Sequence, residues 1–409
     1  MPTPTILQII PSLDTGGAEL STIEIAEAVV SGGGRALVLS TGGRLASRLA
    51  AVGGKLIPFP AATKNPARIV WNAQRIAQII RSENVSLIHA RSRAPAWSAM
   101  IAARRCSTPF VTTYHGAYSE KTRIKNLYNS VMARSDITIA NSHYTAGLIK
   151  SRYKISDDRI RVIYRGVDGN RFDASKISPE RIAALREKWG VAPEQRIILH
   201  AARVSPIKGQ AVVIAAADKL QRQGKLKDTV FILAGGSQGR DSYVAQLESQ
   251  IDTAGLEGVV RLTGHLDDMP AGLAASHLAL MVSTEPEGFG RVAAEAQAAG
   301  CPVIVTRVGA LPETVLAAPR CADSEATGWV VTPNDADELA EAIMRGLALT
   351  GTERTALTTR ARARALSEFS TTRMQTETLA VYDQLLSTNL RTRFEAIKDS
   401  QLPVDLKPD

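Results

Sequence analysis

The chain has 409 residues, of which 44% are hydrophobic and 22% charged, a balance typical of soluble globular proteins with room for two domains. Its three cysteines stand far apart without metal-binding or disulfide spacing, and no apolar run approaches the roughly 20 residues that a membrane-spanning helix needs. The net charge is +9, and residues 1–170 contain 22 Lys/Arg against 10 Asp/Glu, so the basic excess lies in the first half.

This charge distribution suits an anionic partner such as nucleic acid, an acidic acceptor or an anionic membrane surface. The alternative is a solvated basic surface without a partner. Nucleic acid is the weakest of these candidates, because aromatic residues make up only 5% of the chain and no groove-reading or base-reading motif is present. The first residues also lack the basic region and apolar core of a signal peptide, so we expect a cytoplasmic protein.

Short apolar runs alternate with amphipathic segments in the first half, a pattern typical of parallel sheets covered by helices. The predicted strands are Thr5–Ile10, Ala36–Ser40, Leu56–Phe59, Ser86–Ala90, Phe110–Tyr114, Ile137–Asn141 and Ile160–Tyr164. The predicted helices include Glu19–Val30, Pro66–Ser82 and Ser142–Ser151.

The same scheme restarts in the second half. Its predicted strands are Ile197–Ala201, Thr229–Ala234, Val259–Thr263, Leu278–Ser283, Pro302–Thr306 and Gly328–Val331. Its predicted helices are Gly209–Gln223, Asp241–Ala254, Val292–Ala299 and Asp335–Leu349. The expected fold class is therefore α/β, with two Rossmann-like doubly wound domains facing a central cleft.

We divide the chain into a first domain over residues 1–168, a linker over 169–193 and a second domain over 194–370. The linker contains one predicted helix, Pro179–Trp189. A long helix is predicted over Thr371–Leu386, and we expect residues 371–390 to pack back towards the first domain. The polar residues 391–409 are expected to form a mobile tail.

Ligands of doubly wound sheets bind beyond the carboxyl ends of the strands, so residues just after strands are the candidates for a site. Gly16 and Gly17 follow the first strand and precede a helix, where glycines permit a close ligand approach and the helix start favours anions. A plain tight turn would explain them equally well, since the G-x-G-x-x-G fingerprint is absent.

Two cations, Arg203 and Lys208, follow the first strand of the second domain and straddle a turn opened by Pro206. The planar guanidinium of an arginine and the compact ammonium of a lysine, when they converge on one ligand, suit the oxygens of a diphosphate. The alternative is two solvated cations at a loop.

The strongest pattern is Glu287-Gly-Phe-Gly-Arg-Val-Ala-Ala-Glu295, which follows an apolar strand and leads into a helix that stops at Gly300. Glu287 lies on the loop and Glu295 about one turn into the helix, so the two carboxylates can accept hydrogen bonds from sugar hydroxyls on two sides. Two acids near a sugar also fit glycoside hydrolysis, but no second acidic catalytic motif accompanies them.

At these residues the sequence resembles glycosyltransferase family 4, whose members have the GT-B fold. The matching pieces, in the family's order and spacing over about residues 5–385, are Gly16-Gly-Ala-Glu19, Tyr114-His-Gly116, Arg203 with Lys208-Gly209, Leu233-Ala-Gly-Gly236, and Glu287-Gly-Phe-Gly with Glu295. The chain is also similar to bacterial lipopolysaccharide-core sugar transferases, including mannosyltransferases, in Arg91-Ser-Arg-Ala-Pro-Ala-Trp97 and Thr113-Tyr-His-Gly-Ala-Tyr118.

The resemblance implies that a nucleotide-sugar donor lies in the second domain. Arg203 and Lys208 would bind its diphosphate, and Glu295 would accept a hydrogen bond from its ribose. The transferred hexose would be held by Glu287 and by the backbone amides of Gly288, Phe289 and Gly290. One departure from the family is Ala234-Gly-Gly-Ser237, where many relatives have G-x-G, so the contacts to the base stay open.

In the first domain, the resemblance implies that Gly16 or Gly17 approaches the phosphate and that His115 points to the sugar near the reacting centre. A satisfied histidine at a strand end is the alternative for His115. The expected catalytic set comprises His115, Glu287, Arg203 and Lys208. The resemblance further implies retention of anomeric configuration, with neither a metal nor another cofactor.

The acceptor is expected on the basic first domain, where Arg91 and Arg93 follow a strand and could contact an anionic group. Residues 120–134 form an amphipathic pattern that could lie on an anionic bilayer or pack on the sheet.

We therefore expect a retaining hexosyltransferase that acts on a glycolipid or glycan acceptor in cell-envelope synthesis, with GDP-mannose as candidate donor and peripheral contact with the inner membrane. The alternatives are a non-catalytic sugar-nucleotide-binding paralogue, a phosphorylase or a sugar-nucleotide epimerase.

Overall fold

The computed structural model describes residues 3–14, 16–116, 118 and 122–400, and they form two compact units. Unit 1 contains residues 1–166 and 371–409, and unit 2 contains residues 167–370. Thr15, residues 120 and 121 of the predicted amphipathic segment and residues 401–409 of the predicted tail lie outside the described residues.

Unit 1 is built on a parallel sheet in the order β3-β2-β1-β4-β5-β6-β7, counted over its described residues. The strands are β1 Thr5–Ile9, β2 Arg35–Ser40, β3 Lys55–Pro58, β4 Leu87–Ala90, β5 Phe110–Tyr114, β6 Ile137–Ala140 and β7 Ile160–Val162. The helices along this part of the chain are α1 Gly17–Ser31, α2 Ala46–Ala51, α3 Pro66–Ser82, α4 Arg93–Cys106, α5 Arg123–Asn129 and α6 His143–Tyr153. Every residue of β1, β4, β5 and β6 is buried, as expected for strands covered on both faces.

Unit 2 repeats the architecture with a parallel sheet in the order β10-β9-β8-β11-β12-β13. Its strands are β8 Arg196–Ala201, β9 Thr229–Ala234, β10 Val260–Gly264, β11 Leu278–Met281, β12 Val303–Thr306 and β13 Trp329–Val331. Its helices are α7 Pro179–Lys188, α8 Gln210–Arg222, α9 Asp241–Thr253, α10 Met269–Ala274, α11 Arg291–Ala298, α12 Leu311–Thr314, α13 Ala336–Ala348 and α14 Gly351–Glu368.

The predicted α/β class with two Rossmann-like domains is confirmed, and all thirteen predicted strands are present within about two residues of their expected ends. Both sheets reverse their strand order beside the first strand, at β1/β4 and at β8/β11. In doubly wound sheets this switch point is where ligands bind.

Residues 169–193 belong to unit 2, whereas the sequence suggested a separate linker. Phe172 and Trp189 are 2% and 5% exposed, so this segment is part of the unit's packed interior. Arg261 donates from Nη1 to the Trp189 carbonyl at 2.7 Å, and Arg362 forms an ion pair with Asp173 at 3.1 Å. The boundary between the units therefore falls at residues 166/167.

The chain returns to unit 1 with two helices, α15 Thr371–Leu386 and α16 Leu390–Ser400. Met374, Leu379 and Tyr382 of α15 are buried with the side chains of α1 and β1, as the expected return to the first domain requires. Residues 391–400 correct the expectation of a mobile tail, because they form α16 and bury Phe394 in the same core.

Candidate functional site

The loop after β11 is held in place by its neighbours in unit 2. Gly290 has a φ of +98° and starts α11, a left-handed conformation that glycine adopts without strain. The backbone of Glu287 is in close contact with the turn after β12: Ala310 N–H donates to its carbonyl at 2.9 Å. A side chain at Gly309 would meet the Glu287 backbone at 2.4 Å. The position of Glu287 is thus fixed by its main chain.

The loop after β8 packs directly against this one. Thr284 N–H donates to the Ile207 carbonyl at 3.0 Å, and Gly209, with φ +80°, approaches so closely that a Cβ there would lie 2.0 Å from the Val282 carbonyl oxygen. These contacts bring Lys208 to Glu287.

The Lys208 ammonium forms an ion pair with Glu287 Oε1, and the Ser283 hydroxyl donates to the same oxygen at 2.5 Å. The side chains of Lys208 and Glu287 are only 17% and 19% exposed, so the pair is partly shielded from water. Sequence reasoning selected both residues but assigned them to different parts of a ligand, and it did not predict their contact or the role of Ser283.

Arg203 and Glu295 have different surroundings. Arg203 is exposed, and its Nη1 donates to Gln238 Oε1 at 3.5 Å, at the limit of a hydrogen bond. Glu295 is 7% exposed and accepts from Arg291 Nε at 2.7 Å, one turn back along α11. Phe289 is 3% exposed and packs edge-on against Phe369 at a ring distance of 5.4 Å, so its side chain anchors the loop. Gly288 and Gly290 are also buried.

In unit 1, Gly16 and Gly17 are exposed at the start of α1. Gly16 has a φ of +154°, and the Glu19 carboxylate folds back so closely that a Cβ on Gly16 would meet Oε2 at 2.3 Å. The glycine at this position therefore makes room for a carboxylate of the same helix.

His115 follows β5, and its ring lies against Arg165, which sequence reasoning missed. Arg165 Nη2 contacts His115 Nδ1, while its Nη1 donates to the Gly17 carbonyl at 3.0 Å and to the Ser21 hydroxyl. The structure thus joins His115 to the glycine turn through one guanidinium. Arg165 comes three residues after the end of β7, so the strand-end criterion that selected His115 could also have found it.

Arg91 and Arg93, the two arginines expected to contact an anionic acceptor, are less exposed to solvent than the sequence suggested. Arg91 is 3% exposed, and its Nε donates to Gln8 Oε1 at 2.8 Å. Arg93 donates to Asn129 Oδ1 at 2.7 Å and lies 3.8 Å above the Tyr118 ring. Their role at an acceptor stays a prediction.

A buried polar network surrounds Arg91. His89 is fully buried, with Nδ1 2.6 Å from the Tyr382 hydroxyl and Nε2 2.7 Å from the Thr113 hydroxyl. Burial, reinforced by the positive charge of Arg91, holds the pKa of His89 well below its usual value. Burial also lowers the pKa of Arg91, opposed by Tyr382 and Glu24. His89 is therefore neutral at physiological pH.

Among the described residues, no group of three or more His, Cys, Asp or Glu side chains is arranged to hold a metal ion. The cysteines Cys106, Cys301 and Cys321 are all free thiols. No helix in the described part of the chain is both long and apolar enough to cross a membrane.

Family models match both halves of the chain. Residues 15–171 match the model described as Glycosyltransferase Family 4, and residues 181–364 match that described as Glycosyl transferases group 1. The D-inositol 3-phosphate glycosyltransferase of Saccharomonospora viridis is 32% identical over 273 residues, 65% of this chain and 59% of that protein. The chain therefore spans less than two thirds of the length of this curated relative.

Solved structures match almost the whole chain. The crystal structure of a glycosyltransferase from Rickettsia africae is 32% identical, with a TM-score of 0.85, over 95% of this chain and all of that one. The Anabaena protein Alr3699/HepE, solved in complex with UDP and glucose, is 26% identical, with a TM-score of 0.79, over 93% of this chain and all of that one.

Two doubly wound parallel sheets, with basic and acidic side chains gathered after β8 and β11, define a glycosyltransferase of the GT-B fold. The chain belongs to glycosyltransferase family 4.

Proposed function

We propose that the protein transfers a hexose from a nucleotide-sugar donor to a lipid-linked or polysaccharide acceptor in cell-envelope glycan synthesis, with retention of configuration and without a metal. The contact of Lys208, Glu287 and Ser283 in unit 2 carries this proposal. A nucleotide sugar has its diphosphate next to its hexose, so a cation and a carboxylate that are direct neighbours suit both parts of the molecule.

Donor binding would rearrange this cluster without dismantling it. The phosphate oxygens compete with Glu287 for the Lys208 ammonium, and the released carboxylate oxygen accepts from a hexose hydroxyl. Ser283 keeps its hydrogen bond to Glu287 during the exchange and so holds the carboxylate in place. The fixed backbone of Glu287 limits how far the side chain can move.

Arg203 and Glu295 complete the proposed donor contacts. Arg203 is exposed and weakly bonded, so its guanidinium is free to turn onto the diphosphate and bind two oxygens. Glu295 uses Oε1 for Arg291, and its second oxygen can accept from a ribose hydroxyl.

The chemistry we propose is electrostatic. As the bond between the sugar and the diphosphate breaks, negative charge grows on the phosphate oxygens, and Arg203 and Lys208 stabilise it. The acceptor hydroxyl attacks from the face that the diphosphate leaves, and the departing phosphate takes its proton. Because two cations meet the developing charge, the reaction needs no metal.

The donor sugar and the acceptor are the finer parts of the proposal. The Anabaena relative solved with UDP and glucose supports a nucleotide-sugar donor. GDP-mannose is our candidate because of the resemblance to lipopolysaccharide-core transferases. The name of the Saccharomonospora viridis relative points to a phosphorylated acceptor, in keeping with the basic excess of residues 1–170.

We further propose that unit 1 contacts the cytoplasmic face of an anionic membrane through α5. Ile124 and Leu127 on this helix are 80% and 57% exposed, and the neighbouring Arg123 and Lys125 are also exposed. Apolar side chains flanked by cations suit the interface of an anionic bilayer. By contrast, Val131 and Met132 of the same predicted amphipathic segment are buried in the unit 1 core.

A panel of nucleotide sugars, read by release of the free nucleotide, tests the proposed function. We expect release above background from one donor, slow without acceptor and faster with a lipid-linked glycan. The stereochemistry of the product and the effect of a chelator test retention and metal independence.

A protein that binds a donor by calorimetry but never releases its nucleotide would instead be a sugar-nucleotide-binding paralogue. Release of a sugar 1-phosphate after addition of inorganic phosphate would identify a phosphorylase. Conversion of the donor into its epimer would identify an epimerase.

A further inference from the structure

Arg165 connects three groups of unit 1 that lie far apart in sequence. Its guanidinium contacts His115 Nδ1 on one side and the Gly17 carbonyl and Ser21 hydroxyl of α1 on the other. Arg165 is 8% exposed, so these contacts are shielded from water. The residue is therefore built into the unit, next to the histidine that the family resemblance places near the sugar.

The chemistry of the guanidinium decides the state of His115. Arginine offers five N–H donors and no acceptor, so the nitrogen it contacts must present a lone pair. His115 Nδ1 consequently carries no proton, and the neutral ring carries its proton on Nε2. Nε2 is buried and has no hydrogen-bond partner of normal geometry among the described residues, although the Arg91 backbone lies close enough to the ring to act as an acceptor and raise its pKa. The Nε2 donor therefore has at most a weak acceptor within the protein.

The charges around the ring favour the same state. Burial is the main cause that holds the pKa of His115 well below its usual value, and Arg165, Arg91 and His89 lower it further. The Arg91 backbone opposes them.

The other polar groups around His115 do not reverse this balance. The Tyr118 hydroxyl accepts from the backbone N–H of His115. On α1, Glu19 folds over Gly16, while Glu24 acts on Arg91. The ring is therefore surrounded mainly by positive charge and stays neutral at physiological pH.

We propose that Arg165 is a positioning residue that holds His115 as the neutral Nε2–H tautomer, so that His115 donates a hydrogen bond to an oxygen of the bound sugar and does not act as a base. Because it also bonds to Gly17 and Ser21, the same guanidinium fixes the position of the His115 ring relative to the start of α1. The inference rests on the proposed function for the sugar contact, whereas the tautomer is a property of the protein alone.

The tautomer can be measured without substrate. In protein labelled with ¹⁵N-histidine, long-range ¹H–¹⁵N spectra at pH 7 should show His115 with a bare Nδ1 and a protonated Nε2, the signal being assigned from a His115→Gln variant. Arg165→Met should populate the other tautomer and raise the pKa of His115. Arg161→Met is the matched control, because Arg161 lies on β7 and its guanidinium donates to Asp158, Ile160 and Gln384 and not to His115 among the described residues.

Kinetic measurements distinguish a His115 that donates a hydrogen bond from a His115 that acts as a base. In Arg165→Met, the proton of His115 moves to Nδ1, and Nε2, the nitrogen proposed to face the sugar, becomes a hydrogen-bond acceptor. We therefore expect kcat to fall about tenfold at pH 8. As the pH falls through the raised pKa of His115, the doubly protonated ring regains its Nε2–H, and the activity relative to wild type should recover. Arg165→Lys retains a cationic donor and should give an intermediate loss. It also serves as the test variant if the methionine variant does not fold.

The opposite trend would overturn the inference: activity of Arg165→Met that falls further with falling pH would identify His115 as a base. A wild-type His115 protonated on Nδ1, or an equal effect of Arg161→Met on the His115 signals, would overturn it as well. If Arg165 acts through His115, its substitution in a His115→Ala background should change kcat less than twofold. Absence of turnover with every donor would sink the proposed function while the spectra still decide the tautomer.

Discussion

At the scale of single residues, Lys208 combines two tasks. It neutralises Glu287 inside unit 2, and it is proposed to stabilise the charge that develops on the donor phosphate. Lys208→Ala should therefore lower kcat by about 10²–10³, equivalent to roughly 3–4 kcal/mol of transition-state stabilisation. The measurement is nucleotide release under saturating donor, with circular dichroism to verify the fold.

Lys219→Ala is the matched control for this change. Lys219 also forms an ion pair with a carboxylate of unit 2, Asp337, but that carboxylate is 71% exposed. Such exposed pairs contribute less than about 1 kcal/mol, so turnover should stay within a factor of two of wild type. Normal turnover in Lys208→Ala would contradict the phosphate assignment.

The conformation of Gly209 leads to a prediction about the stability of the protein against unfolding. Its φ of +80° costs an alanine about 1–2 kcal/mol, and the Val282 carbonyl must also move to make room for the methyl group. Overpacking of this kind adds about 1–3 kcal/mol. Urea unfolding should therefore show a larger loss for Gly209→Ala than for Gly224→Ala. Gly224 has a similar φ of +65° and nothing within 4 Å of its Cβ position. Equal losses would mean that the Val282 contact is not tight.

Sequence patterns found most of the candidate site residues but not their partners. Lys208 and Glu287 were recognisable because each follows a strand, yet their ion pair depends on how two loops pack. Arg91 was expected to contact an anionic acceptor, but it is 3% exposed and donates to Gln8, a partner distant in sequence that no local pattern reveals. Arg165 was overlooked because its partners come from α1 and from the loop after β5.

At the scale of elements, strands were easier to predict than helices. Strands covered on both faces are continuous apolar runs, and these are visible in sequence. The helices α14 and α16 were not predicted, since each has few apolar residues. The start of α14 nevertheless carries a capping box, in which Thr350 accepts from Glu353 N–H and the Glu353 carboxylate accepts from Thr350 N–H. This signal could have identified α14.

The exposed apolar side chains of helix α5 lead to a prediction about membrane binding. Replacing Ile124 and Leu127 by serine removes two exposed apolar side chains, whose transfer into the bilayer interface is worth about 2–4 kcal/mol in total. Flotation with anionic vesicles should therefore show binding weakened roughly a hundredfold. Ile397→Ser on α16 is the control, because that side chain is also exposed but lies on another helix. Equal recovery of the wild type with neutral and anionic vesicles would count against the proposed surface.

At the scale of the whole molecule, the alternation of strands and helices predicted two similar halves, and the structure has two parallel sheets. The sequence did not reveal where one unit ends, because the segment 167–193 is polar outside a few buried side chains. Phe172 and Trp189 pack into unit 2 through contacts with residues far along the chain, including Arg362 and Arg261.

The assignment of α16 to unit 1 can be tested with one buried ring. Phe394 is fully buried in the unit 1 core, so Phe394→Ala should destabilise that unit by about 3–5 kcal/mol. Hydrogen exchange should accelerate in residues 3–166 and 371–400 more than in unit 2. Ile397→Ala on the same helix, where the side chain is 38% exposed, should change stability by less than about 0.5 kcal/mol. Equal acceleration in both units would show that they unfold together.

The chain passes from one unit to the other twice, and in unit 2 the two crossing segments lie side by side. Val167 N–H donates to the Phe369 carbonyl at 2.7 Å, and Val167 and Ser370 form a parallel bridge. In unit 1, a Cβ added to Gly166 would lie 2.6 Å from the Cα atom of Thr371, so these two residues are also close together. The chain therefore enters and leaves unit 2 at the same place. Unit 2 could therefore be exchanged between relatives by cutting at 166/167 and 370/371, with each unit keeping its own packed interior.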